Sequence, residues 1–214
     1  MHKTKLAGLG AIAAAALILA LSVSGALAQA KYSTGGSPTP ADQKQSIAQA
    51  PVFRDFLPPA VDLTKYMPAV GDQGNQGSCV GWATAYAARA YYAEQVEHRD
   101  IAQKQNIPSP AWLFDIIHIG KDCDQGAYIP DAMKVLMSGA YSLADFPYDD
   151  TKCPRPLPPA RAKAVDFRIE SFEQVWDQAK DPDMDKVKGA LAKGNPVVIL
   201  ASLDSAFFDL NPKN

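Results

Sequence analysis

Residues 71–93 read "GDQGNQGSCVGWATAYAARAYYA" and hold one cysteine, Cys79. A stretch with three glycines ends at that cysteine, and an alanine-rich segment begins there. From Cys79 to about Gln95 helix formers dominate, and Arg89 is the only charge before Glu94. A helix apolar on nearly every side is one that the rest of the chain buries. The pattern therefore predicts a central buried helix with a lone thiol at its first turn.

The 214 residues suffice for one domain of ordinary size or two small lobes, and 47% apolar content supports a real core. Net charge is −2, and no basic run follows residue 5, so a nucleic-acid partner is not expected. His2, Lys3 and Lys5 give a positive start, and Leu6 to Ala28 carries no charge. The stretch closes on Ala26-Leu27-Ala28-Gln29-Ala30, with small residues at cleavage spacing. Residues 1–30 thus read as a signal peptide, with an uncleaved anchor as the alternative. A periplasmic or secreted location follows, without stable membrane association once the signal is cleaved.

Export changes how the cysteines are read, because thiols tend to pair in an oxidising compartment. Cys123 in "KDCDQG" and Cys153 in "DDTKCPRP" lie in loop-like contexts. Pairing those two would leave Cys79 free, and an odd thiol in a secreted chain is either a dimer link or a reactive group.

Residues 31–60 are rich in Ser, Gly, Pro, Gln and Ala and read as a flexible linker. "SPAWLFDIIHIG" predicts a second helix capped by Ser109, with Pro110 at its first position. "IPDAMKVLMSG" predicts a third, with apolar residues at 129, 132, 133, 136 and 137 and a closing glycine. The proline-rich stretch from Pro154 to Pro159 reads as a boundary. Beyond it "VDFRIESFEQV" predicts a strand, "DMDKVKGALAKG" a short helix and "NPVVILASL" a buried strand. Helices first and strands later give an α+β chain: a helical lobe over 61–160 and the start of a β-rich lobe over 161–214.

The partial positive charge at a helix N-terminus favours a thiolate. Gly74 and Gly77 let the backbone bend closely there, and Ser78 is placed to cap the helix. Exposed backbone N–H groups at such a point can bind a developing oxyanion. These are the local needs of a nucleophile; the structural alternative is a small, well-packed cysteine at a helix start.

With Gln73-Gly74-Asn75-Gln76-Gly77-Ser78-Cys79 the chain resembles papain-like cysteine peptidases. In that family a glutamine lies six residues before the nucleophile, and a Gly-Ser-Cys step enters the long central helix. Ser109 to Asp115 resembles the family's second helix. "CDQGAYIPDAMKVLMSGAYSLADFPY" resembles the run from a glycine turn through a helix to a Pro-Tyr step. "NPVVILASLDSAFF" resembles the strand that opens the second lobe's barrel. The resemblance spans about residues 61 to 209.

It implies a papain-like fold with a helical left lobe and a β-rich right lobe, incomplete here. It implies Cys79 as nucleophile toward a peptide or protein substrate, and Gln73 as side-chain donor to the oxyanion hole. Gly126 would line the substrate cleft, and a Cys123–Cys153 disulfide would tie the glycine turn to the loop after Pro147-Tyr148. No cofactor or metal is implied. Gln76 stands where the family commonly has a cysteine, and Val80 where it has a tryptophan; Trp82, two residues on, is placed to fill similar space.

A cysteine peptidase needs a histidine base. The sequence has three: His2 in the signal segment, His98 nineteen residues after Cys79, and His118 in the second helix. None fits. The family places its histidine and asparagine about 130–150 residues after the cysteine, which points past Asn211 and Asn214 to a C-terminal continuation or a partner chain. The expectation is a truncated or frame-broken peptidase whose 214 residues alone are inactive. The alternatives are a non-catalytic exported peptide-binding domain, and an interaction domain with Cys79 buried or dimer-linked. No G-x-S-x-G elbow, H-E-x-x-H pair or CxxC knuckle occurs. "DCDQG" lacks the spacing of a calcium loop and reads as a turn.

Overall fold

The computed structural model describes residues 34–121, 123–154, 166–176 and 183–208. The expected signal peptide and most of the Pro154–Pro159 boundary lie outside them, as do His2, Asn211 and Asn214. Among the described residues no helix is long and apolar enough to cross a membrane.

The central helix runs unbroken through Cys79–Gly81, Trp82–Arg89 and Ala90–Gln95, with the middle stretch wound as a π-helix. Val80, Thr84, Ala85, Ala90, Tyr91 and Ala93 are buried, as its apolar sequence predicts. Of its two charged residues, Arg89 and Glu94, the arginine is buried. The Arg89 guanidinium pairs with Glu97, and its Nε donates to the Arg168 carbonyl at 3.2 Å. Burial pulls the Arg89 pKa down, and Glu97 opposes that shift.

Two helices pack against this one. Pro110–Ile117 begins where the sequence predicts: Ser109 Oγ accepts from the Trp112 N–H at 3.1 Å, and Pro110 occupies the first turn. Ala111, Trp112, Leu113, Phe114 and Ile117 are buried. An added Cβ at Gly81 would sit 2.5 Å from the Pro110 carbonyl oxygen, so the two helices cross closely because that position has no side chain. Ile129–Leu136 has Pro130 in its first turn, and Ala132 and Leu136 are fully buried. Met137, expected on its apolar face, is 45% exposed. The chain turns away at Gly139, whose φ of 103° suits glycine.

The second half departs from expectation. Residues 166–169 fold back on the helical lobe instead of starting a sheet. The Ala140 N–H donates to the Asp166 carbonyl at 2.8 Å, and Ile169 N–H to Leu136 at 3.1 Å. Phe167 is buried with φ 58°, which interrupts an extended strand, and it lies 5.6 and 5.0 Å from the Arg89 and Arg99 guanidiniums. Met184–Ala192 is helical as expected, capped by Asp183, which accepts from Lys186 N–H at 3.2 Å. Residues 195–203 form no ladder among the described residues, and Ile199 is 63% exposed. A strand needs neighbours for its N–H and C=O groups, and the described residues supply no run of them. Pairing is confined to isolated bridges at Gly36↔Ala127, Gln49↔Gln174 and Pro108↔Ser142. The described structure is therefore helix-rich, and the expected β-rich lobe is not seen in it.

Within the stretch read as a linker, residues 36–53 make contacts with distant parts of the chain. Gly36 bridges Ala127, Ala41–Gln45 is helical, and Ala50 N–H donates to Gln174 at 2.9 Å. Phe53 lies against Gly189, with the Lys193 ammonium 5.6 Å from its ring.

Cys123 and Cys153 form a disulfide with Cα atoms 6.1 Å apart. It closes a loop with a sequence separation of 30. Replacing both cysteines by serine is expected to lower unfolding free energy by about 2–4 kcal/mol, read as a shift in the urea midpoint. An unchanged midpoint would contradict this.

Candidate active site

Cys79 is the first residue of the central helix, a free thiol at intermediate exposure. The loop before it is held through its backbone N–H groups, by two carboxylates and a carbonyl. Asp72 accepts from the Gly74 N–H at 2.8 Å, and Gly74 has φ 59°, a left-handed conformation that favours glycine. Asn75 N–H donates to Asp150 at 3.0 Å, and Ser78 N–H donates to the Gln76 carbonyl at 2.8 Å.

Tyr148 clamps the two ends of this loop together. Its hydroxyl donates to the Gln73 carbonyl at 2.8 Å and lies 2.5 Å from Ser78 Oγ. With the phenolic proton committed to Gln73, the serine is the donor to Tyr148. Ser78 therefore holds the N-cap position without capping: its hydroxyl serves the clamp and makes no side-chain bond to the helix amides. The Tyr148 ring packs on Trp82, centroids 4.8 Å apart, and Trp82 packs on Tyr86 at 4.6 Å. The sequence placed Tyr148 only as one half of a Pro-Tyr step. Its role as clamp depends on a contact across seventy residues of chain, and no local signal reports that.

Gly126 has φ 70°, and its carbonyl accepts from the Ile119 N–H at 2.8 Å. The disulfide carried by Cys123 anchors this turn. Between Gly126 and Cys79 runs the chain's own segment 34–37. Ala127 N–H donates to the Gly35 carbonyl at 2.8 Å, and Ser37 N–H returns a bond to the Ala127 carbonyl at 3.0 Å. Ser37 Oγ donates to the Gln125 carbonyl at 3.1 Å. A Cβ placed on Gly36 would lie 3.8 Å from Cys79 Sγ and would collide with Leu200. Cys79 and Gly126 thus face one extended segment, and Leu200 closes it from above. The tandem glycine in "STGGSP" was the available sequence signal for this contact.

His98 follows the end of the central helix opposite Cys79, with φ 56°. His118 ends the Pro110–Ile117 helix, and its ligand atom lies within 4.8 Å of the Cys123 and Cys153 sulfurs. His118, Cys123 and Cys153 are the one such grouping among the described residues that could hold a metal ion. With both sulfurs in the disulfide, only the imidazole nitrogen offers a strong ligand.

Burial pushes the Tyr148 phenol above its ordinary pKa, with the Ser78 hydrogen bond opposing. A raised value favours the neutral folded form, so the clamp is complete below about pH 10 and is lost as pH climbs through the folded-state value. Tyr148→Phe removes the phenolic donor from the Gln73 carbonyl, which keeps the Gln76 N–H at 3.3 Å, and takes the Tyr148 partner from the Ser78 hydroxyl. It is expected to cost about 1–3 kcal/mol and to speed hydrogen exchange of the 74–79 amides. It should also remove the alkaline loss of protection. Exchange in that variant matching the parent would refute the clamp.

No protein-family model matches the chain, and no curated protein does. Among solved structures the chain is similar to the crystal structure of xylellain, a cysteine protease from Xylella fastidiosa. Identity is 27% and the TM-score 0.61, over 77% of this chain and 64% of that one. The chain thus spans a little under two thirds of that structure's length. Its fold resembles that of a cysteine protease.

Proposed function

We propose that this chain is the nucleophile-bearing part of an exported papain-like cysteine peptidase. One observation carries the proposal: a free thiol opens the central helix beside an extended segment of the chain that backbone hydrogen bonds hold in place. Similarity to a cysteine protease fold supports it. In this mechanism the Cys79 sulfur attacks a peptide carbonyl carbon and the π-electron pair moves onto oxygen. The Cys79 N–H and the Gln73 side-chain amide receive that oxyanion. A histidine takes the thiol proton and delivers it to the departing amine, and water then cleaves the thioester.

In this reading neither His98 nor His118 is the base, and the histidine and its orienting asparagine come from a C-terminal continuation or a partner chain. The 214 residues alone are then inactive toward peptides. Gly126 lines the cleft, and no cofactor takes part. The signal-like residues 1–30 and a disulfide of the sort oxidising compartments maintain support a periplasmic or secreted location. The extended segment that backbone hydrogen bonds hold beside Cys79 favours one second reading, a peptide-binding domain without turnover.

The test is chemical rescue. Imidazole added to the purified chain should produce saturable hydrolysis of an activated peptidyl ester that Cys79→Ala abolishes. Gln73→Ala should lower the rescued rate by about 10²–10³-fold. Peptide binding with no Cys79-dependent turnover at any imidazole concentration would select the binding-domain reading.

A further inference from the structure

The segment in the cleft fits there because of what it lacks. A Cβ on Gly35 would fall on the Gly77 carbonyl, which is backbone and cannot swing aside. A Cβ on Gly36 would strike the end of the Leu200 side chain, with Cys79 Sγ at 3.8 Å. The walls are equally bare. A Cβ on Gly126 would collide with the Gly35 carbonyl, and one on Gly77 would lie 3.3 Å from the Thr34 carbonyl oxygen and 3.4 Å from Gly35 Cα. Gly35 therefore interdigitates with two glycines of the groove, Gly77 and Gly126, while Gly36 meets Leu200 and Cys79. The Ala127 pair of bonds, one to Gly35 and one from Ser37, sets the register.

We propose that the groove between Gly77, Gly126 and Leu200 is a tandem-glycine subsite, and that the ligands and substrates reaching Cys79 are peptides presenting Gly-Gly in extended conformation. The two positions are selective for different reasons. The first is bounded by backbone, so it rejects any side chain. The second is bounded by a leucine tip, so its selectivity belongs to Leu200 and is removable. In this structure Gly35–Gly36 is the occupant. Selectivity for Gly-Gly turnover rests on the peptidase proposal, whereas selectivity for Gly-Gly binding does not.

The experiment follows the rate at which iodoacetamide alkylates Cys79 in the full chain. Gly35→Ala should dislodge the segment and raise that rate about tenfold or more, the equivalent of losing two backbone hydrogen bonds. In that variant the peptide Ser-Thr-Gly-Gly-Ser-Pro should restore protection. Its analogue with alanine at the first glycine should not. The analogue with alanine at the second glycine should protect only when Leu200→Ala is also present. An alkylation rate unmoved by Gly35→Ala overturns the proposal, and so does equal protection by all three peptides. Because thiol protection needs no turnover, absence of hydrolysis defeats the peptidase proposal alone. Loss of Gly-Gly discrimination defeats this one alone.

Discussion

The hydroxyl of Tyr148 sits between the Gln73 carbonyl and the Ser78 side chain, and the geometry around Cys79 depends on that one atom. A loop with glycines at 74 and 77 has large conformational freedom in the unfolded chain, and ordering it carries an entropic cost. Two hydrogen bonds to a half-buried phenol, backed by Trp82, select one conformation from many. Tyr148 and the Asp150 carboxylate that receives Asn75 belong to one loop, and the disulfide ties Cys153 of the same loop to the Gly126 turn. Both walls of the cleft are thereby referred to a single connecting segment.

Between those walls the limiting quantity is the distance of closest approach between backbones. Gly35, Gly77 and Gly126 come together so tightly that a methyl group on any of them would meet a neighbouring backbone atom. Backbone hydrogen bonds then provide register without reading side chains. In the subsite proposed above an extended chain is admitted by its slenderness, a steric filter more than a chemical one.

The far end of the central helix is organised by charge. A buried guanidinium is costly unless paired and hydrogen-bonded, and Arg89 finds Glu97, the Arg168 carbonyl and the Phe167 ring. That demand draws residues 166–169 back onto the helical lobe. The neighbouring Tyr91 and Tyr92 hydroxyls reach the Gly194 carbonyl and Asn195 at 2.8 and 3.0 Å, docking the end of the Met184–Ala192 helix on the same surface. Aromatic and β-branched residues in "VDFRIESFEQV" gave the segment the look of a strand, but its partners are the Leu136 and Ala140 backbone, the core around Phe167 and the Arg89 guanidinium.

Helices were legible from sequence because their determinants are local: Ser109 and Pro110 at a start, apolar spacing through 129–136, an uncharged run after Cys79. The positions of Cys79 at a helix start, of the glycine turn at 126 and of the Cys123–Cys153 pair were legible for the same reason, from short motifs and their family resemblance. Strand pairing was not, because a strand exists only where another backbone receives its hydrogen bonds, and residues 195–203 meet none that is described. Nor could sequence assign the Tyr148 clamp, the use of Ser78 as its partner instead of a cap, or the fastening of residues 34–50 across the molecule. Those are contacts between distant parts of the chain, and whether two such parts come within hydrogen-bonding distance is decided by packing rather than by either stretch alone.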